Sequence, residues 1–183
     1  MSADAVGRNM PAVVTLDDLT AMNDADEFHR YELSPEGVLT VWPSPGSAQA
    51  IVASRLMWWL AAGGLPADRM AQAVGLRIPC RDGLGGRVPD LIVWSRPPTA
   101  GIWLPADDVL LVAEIIAPGS AGADTVSKPI EYAAAGIPRY WVIDQDSAQT
   151  VTMHHLTGDK YTLQATMPLA WVLNTDLADH GLG

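Results

Sequence analysis

The chain has 183 residues, 49% of them hydrophobic, a length that suits one domain with a real core. Eleven Lys and Arg against twenty-one Asp and Glu leave a net charge of −10, which opposes a general affinity for polyanions. A single cysteine, Cys80, excludes an internal disulfide, no apolar run reaches the roughly 20 residues that cross a bilayer, and the N-terminus lacks the basic start and apolar stretch of a signal peptide, so a cytoplasmic location is expected.

Residues 1–12 are expected to form a flexible arm and 13–183 a single domain. Thr15, three residues before Asp18, starts a capping box, which predicts a helix over about 15–23 with Leu16 and Leu19 facing inward. "RYEL" and "GVLTVW" have the residue types and turn spacing of a β-hairpin, ended by Pro43 and Pro45. In "SAQAIVASRLMWWLAA" the apolar residues Ile51, Val52, Leu56, Trp59 and Leu60 recur at helical intervals, and Gly63 and Gly64 provide a stop. Trp58 and Trp59 must point in different directions on that helix, so one is expected to reach a partner subunit. Strands follow at "AQAVGLRI", "VPDLIVW" and "VLLVAEII", with "RDGLGGR" as a turn between the first two, and the three together suggest the centre of a sheet. "SKPIEYAAAG" is helical up to Gly136, "RYWVID" is a further apolar strand, and "TVTMHHL" with "KYTLQA" reads as a closing hairpin.

Two of the apolar strands each carry one acid: Asp90 in "RVPDLIVW" and Glu114 in "VLLVAEII". A carboxylate taken out of water costs several kcal/mol unless it is paired or holds a metal, although an Asp at a strand end can also stay in water. On neighbouring strands the two acids would converge and repel unless a cation or proton lay between them. Only oxygen ligands are on offer, which favours Mg²⁺ or Mn²⁺ over zinc. Lysine is scarce, and Lys128 opens the helix after the Glu114 strand. An ammonium beside two carboxylates and a metal can orient a water or neutralise charge developing on a phosphate. Glu131 and Tyr132 share its helix face and could orient it. His154 and His155 are adjacent on a strand and face opposite sides, a poor metal pair.

Read in order, "RYEL" (30–33), "VPD" (88–90), "AEIIAPGS" (113–120), Asp124 and "KPIEYAAAGIPRYWVID" (128–144) resemble the Uma family of restriction endonucleases, a branch of the PD-(D/E)XK nuclease superfamily. The resemblance spans about residues 13–175. It implies an α/β (α+β) restriction-endonuclease-like core, a mixed sheet flanked by helices, with Asp90 and Glu114 as metal ligands, Glu32 as a further metal-binding carboxylate and Lys128 as the catalytic lysine. In the wider superfamily the lysine lies two residues after the Glu; here that position is Ile116, so Lys128 must reach in from the following helix. Ala48 stands where similar sequences carry a His, and "APGS" where they carry "SPS".

From Arg69 to Arg96 five arginines face two aspartates, a local balance of +3. Arg81 and Arg87 in this stretch are the candidates for contacts to phosphate. The expected function is therefore that of a Mg²⁺-dependent endodeoxyribonuclease acting on DNA as a homodimer, with no membrane partner. Two other readings stay open: a catalytically silent nucleic-acid-binding or regulatory member of the same fold, and an acidic homo-oligomeric interaction protein.

Overall fold

A computed structural model describes residues 13–80, 83–117 and 119–183. Thr15 and Asp18 close the expected capping box, Asp18 N–H on Thr15 Oγ1 at 3.2 Å and Thr15 N–H on Asp18 Oδ2 at 2.9 Å, so that α1 runs Leu16–Ala25 with Leu19 fully buried. β1 (His29–Leu33) and β2 (Leu39–Pro43) form the first hairpin, and α2 runs Ser47–Ala62 up to the glycine pair, with Gly64 at φ +95°. There follow β3 (Met70–Ala71), β4 (Gly75–Cys80), β5 (Gly83–Arg87), β6 (Leu91–Trp94), β7 (Trp103–Pro105) and β8 (Val109–Ile115). One turn of π-helix, Ala123–Ser127, leads into α3 (Lys128–Ala134), and the chain ends with β9 (Arg139–Ile143), β10 (Thr150–Thr157), β11 (Lys160–Pro168), α4 (Leu169–Val172) and a 3₁₀ turn at Leu177–His180. No described helix is long and apolar enough to cross a membrane.

The strands divide into two mixed sheets, β2-β1-β5-β4-β7 and β11-β10-β9-β8-β6-β3. This corrects two expectations. "AQAVGLRI" is two strands in different sheets, broken at Ala73, whose φ of 51° lies in the left-handed region. "GLGG" is not a turn but the body of β5, where a side chain has no room: a Cβ on Gly85 would lie 2.9 Å from both the Leu33 carbonyl oxygen and the Pro35 nitrogen. The strands around Asp90 and Glu114 therefore face a second sheet rather than continuing into it.

Side-chain alternation assigns the two faces of the six-stranded sheet. Leu91, Val93, Leu111, Ala113 and Ile115 bury against Val52, Leu56 and Leu60 of α2. Ile92, Trp94 and Val112 point the other way, toward Leu76 and Ile78 of β4 and Tyr132 of α3. Asp90 has the parity of Ile92 and Glu114 that of Val112, so both acids lie on the face turned toward α3 and the five-stranded sheet. β6 runs antiparallel to β8 with Leu91 opposite Ala113, which brings the next position on each, Asp90 and Glu114, to the same end of the pair. β8 and β9 are parallel, so the chain has to cross over between them, and that crossover carries Lys128. Of the two neighbouring tryptophans on α2, Trp59 packs on Trp141 and Trp58 is 77% exposed.

Because the obstruction at Gly85 is backbone, Gly85→Ala should lower stability by about 1–3 kcal/mol. Gly122→Ala, at φ −64° with nothing within 4 Å of the added carbon, should leave stability unchanged or raise it by up to about 1 kcal/mol. Urea unfolding midpoints of the two variants check the contrast.

Candidate active site

Five segments meet at one end of the two sheets. β1 carries Arg30 and Glu32, two residues apart and so on one strand face. The turn after β5 carries Asp90, β8 carries Glu114, the N-terminal turn of α2 carries Gln49, and the crossover carries Asp124 and Lys128. The Lys128 backbone N–H bonds to the Ala123 carbonyl, the i→i−5 closure of a π turn. Asp124, Lys128 and Tyr132 follow at four-residue spacing on this segment, which stacks them on one side.

Asp90, Glu114 and Lys128 line a single cavity of about 20 Å³, room for one water-sized group, together with Arg30, Gln49 and Asp124. Lys128 Nζ lies 3.0 Å from Glu114 Oε1, 2.9 Å from Asp124 Oδ1 and 3.7 Å from Glu32 Oε2. Asp90 is held by the Ile115 backbone N–H at 2.7 Å and by the Gln49 amide at 2.8 Å. The Tyr132 hydroxyl donates to Glu114 Oε1 at 2.8 Å, and the Ser120 hydroxyl donates to Asp124. Apart from Arg30, which is half-buried, all of these side chains are buried.

Glu32 sits deeper and does not line the cavity with Asp90 and Glu114. Its Oε1 accepts the Val88 N–H at 2.9 Å, and its Oε2 accepts Trp42 Nε1 at 3.0 Å and Arg87 Nη1 at 3.4 Å. Burial works against its charge, but Lys128, Arg30, Arg87 and the Val88 N–H together hold its carboxyl below the usual range. The structure thus places Glu32, expected as a third metal carboxylate, among N–H donors and off the lining that Asp90 and Glu114 share. Arg87 is revised. It is 3% exposed, and its guanidinium clamps Glu131 through Nε, at 2.7 Å from Oε2, and through Nη2, so it is not presented to phosphate. Arg81 lies outside the described residues. Elsewhere in the arginine-rich stretch, Arg69 donates to the Trp94 carbonyl, Arg77 is exposed, and Arg96, also exposed, pairs with Asp108.

Glu131 is spent on Arg87 rather than on Lys128, and Tyr132 reaches Glu114, not the lysine. Ala48 is exposed, while its neighbour Gln49 is buried on Asp90. Arg30, Gln49 and the role of Asp124 escaped the sequence reading. Two signals could have found them: Asp124 stands four residues before Lys128, and Arg30 two before Glu32. His154 packs on Tyr140 and Tyr161 and does not line the cavity of Asp90 and Glu114.

The cluster holds five carboxylates, Glu32, Asp90, Glu114, Asp124 and Glu131, against three basic groups, Arg30, Arg87 and Lys128, an excess of two negative charges if all are ionised. Glu114 bears the consequence. Burial pushes its carboxyl up, and the neighbouring Asp90, Asp124 and Glu32 add to this despite Lys128, raising it to about 8. Lys128 is held charged well above its ordinary range, because Glu114, Glu32 and Asp124 outweigh its own burial. Among the described residues no group of three Asp, Glu, His or Cys side chains is arranged to hold a metal ion. Asp90, Glu114 and Asp124 line the small cavity against Arg30 and Lys128, a net −1 when all are ionised, and such an oxygen-donor set fits Mg²⁺, which keeps several waters and uses one or two protein carboxylates.

The pH dependence of the metal-free protein follows from Glu114. Its folded value lies above the unfolded one, so its contribution to stability is complete below about 4.5 and is lost as pH rises through about 8. Wild type in EDTA should lose stability relative to Glu114→Gln between pH 5 and pH 9, because the amide cannot ionise. Parallel unfolding curves across that range would contradict the raised carboxyl.

Residues 16–182 match the sequence profile of the Uma2 family, described as "Putative restriction endonuclease". No protein among those of curated function matches the chain. Among solved structures, the chain resembles a protein from Anabaena variabilis ATCC 29413, described as a putative nuclease belonging to DUF820, with 19% identity, a TM-score of 0.58, and coverage of 84% of this chain and 82% of that one. The two share a fold, with mixed sheets flanked by helices. With a family match that runs across nearly the whole sequence, the chain belongs to the Uma2 family.

Proposed function

We propose that the protein is a Mg²⁺- or Mn²⁺-dependent endonuclease that hydrolyses phosphodiester bonds in DNA. The observation that carries this reading is the convergence of Asp90, Glu114 and Lys128 on one cavity, within a cluster of five carboxylates against three basic groups. Membership of a family described as "Putative restriction endonuclease" supports the substrate class.

In this reading Asp90 and Glu114 hold the ion, which would polarise a phosphoryl oxygen and lower the pKa of a bound water. The chain's own groups prepare the site. The Ile115 N–H and the Gln49 amide fix the Asp90 carboxylate in one orientation, and the Tyr132 hydroxyl and Lys128 do the same for Glu114. Lys128 keeps a positive charge within 3.0 Å of Glu114, so the ionised carboxylate is favoured once its proton leaves and charge developing nearby is offset. As this ammonium is held on three carboxylates, it is a fixed charge and not a proton donor at neutral pH.

Incubation with plasmid and linear DNA in the presence of Mg²⁺ or Mn²⁺ tests the function. Wild type should cut, and Asp90→Ala and Asp90→Asn should reduce cutting at least about a hundredfold. Asp90→Asn should retain its fold and bind DNA in EDTA equally or more tightly, because a negative charge facing phosphate has been removed. Cutting by Asp90→Asn at the wild-type rate, or without any divalent ion, would refute the assignment.

A duplex has two strands to cut, and α2 exposes Ile51 and Trp58, two helical turns apart, at 59% and 77%. We place a homodimer contact on this helix face. Light scattering at tens of micromolar should give twice the chain mass, reduced to the monomer by Trp58→Glu.

A further inference from the structure

The three basic groups of the cluster use their donors in different ways. Arg87 spends its fork on Glu131 and reaches Glu32. Lys128 lies on Glu114 and Asp124 with Glu32 close by. Arg30 differs from both: its Nε and Nη1 are buried and have no hydrogen-bond partner. The nearest acceptors, Glu32 Oε1 at 3.7 Å and Asp90 Oδ1 at 3.6 Å, hold the guanidinium by charge but lie beyond hydrogen-bonding distance. Buried donors are nearly always satisfied in folded proteins, so two such atoms on one guanidinium mark a missing acceptor.

The position of Arg30 indicates the kind of acceptor. It lines the small cavity beside Asp90 and Glu114, and it also lines a neighbouring cavity of about 270 Å³ that includes Thr20, Asn23, His29 and Trp103. Its side chain keeps 16% exposure, against 2% for Lys128 and 1% for Glu114, so it is the basic group that faces an incoming ligand. A guanidinium stays charged at any working pH, and its geometry matches the oxygens of a phosphate. Neither of the two carboxylates that hold it accepts from these two atoms, so both donors are free for an oxygen that enters the cavity.

We propose that Arg30 is a substrate-binding residue whose unpaired N–H groups take a non-bridging oxygen of the phosphodiester, while Lys128 acts through the carboxylates it holds. The proposal rests on the nuclease reading for the identity of the phosphate, and on the unspent donors for the contact. On this view Lys128, although it is the lysine of the site, does not touch substrate.

Inorganic phosphate serves as the probe, titrated calorimetrically at constant ionic strength into the Mg²⁺-loaded protein. Wild type is compared with Arg30→Gln, Arg30→Lys and Arg77→Gln, the last a control on exposed β4, and thermal unfolding reports whether each variant folds. Phosphate affinity should fall about tenfold in Arg30→Gln, less in Arg30→Lys, and not at all in Arg77→Gln. No phosphate binding by wild type, or equal affinity in wild type and both Arg30 variants, overturns the proposal. Should Arg30→Gln fail to fold, Arg30→Lys decides alone, because it keeps the charge that Glu32 and Asp90 require. Plasmid cutting measured on the same samples separates the two ideas. Phosphate binding that depends on Arg30, without any cutting, keeps the contact and refutes the nuclease reading, whereas cutting with unchanged phosphate affinity refutes the contact alone.

Discussion

The ammonium of Lys128, 2% exposed and shared between Glu114 and Asp124, is the interaction on which the rest of the site depends. Without it only Arg30 and Arg87 would face five acids, leaving Glu114 and Asp124 without a basic partner, and breaking a buried pair of this kind costs about 3–5 kcal/mol. With it the cluster is still short of positive charge. Glu114 takes up that remainder, its carboxyl raised to about 8 by burial and by its acidic neighbours. In the proposed reading a divalent cation would supply the same missing positive charge as that proton. In the metal-free protein the imbalance limits stability at alkaline pH.

The fold keeps this cluster in one place through two geometric constraints. Parallel β8 and β9 require a crossover, and the π turn at its entry, with Lys128 N–H on Ala123, places Asp124 under the lysine. Antiparallel β6 and β8 set Asp90 beside the end of β8, where the Ile115 N–H fixes it. The five-stranded sheet then closes the far side, with Glu32 and Arg87 forming an internal layer that Glu131 of α3 completes. That layer explains why the two charged residues resist a surface role: each has its polar atoms occupied by the other elements of the fold. The tight approach of β5 to β1 at Gly85 brings this layer together.

How much was legible from the residues depended on the range of the interaction. Local physics was fully readable. The Thr15 capping box, the glycine stop of α2, the two hairpins and the helix opened by Lys128 are set by neighbours within a few positions, and each forms within three residues of its expected bounds. An acid inside an apolar strand is a local anomaly too, which is why Asp90 and Glu114 stood out before their surroundings were known.

Tertiary structure alone decided the partners. Whether a charged residue is a ligand, a strut or a surface group depends on which donors surround it, and these come from segments 40 to 60 residues away: Glu131 for Arg87, Val88 for Glu32, Gln49 for Asp90. Nothing near Arg87 or Glu32 in the chain distinguishes a buried pair from a phosphate contact or a metal ligand. Similarly, a glycine run reads as a turn until the strand lying against it, with its backbone 2.9 Å away, is known. The sequence alone determined the elements and the chemical types at the site, because periodicity and caps act over short distances. The division of the strands into two sheets, the burial of Arg87 and the unspent donors of Arg30 arose only when those elements packed, because burial and hydrogen-bond partners are properties of the assembled interior.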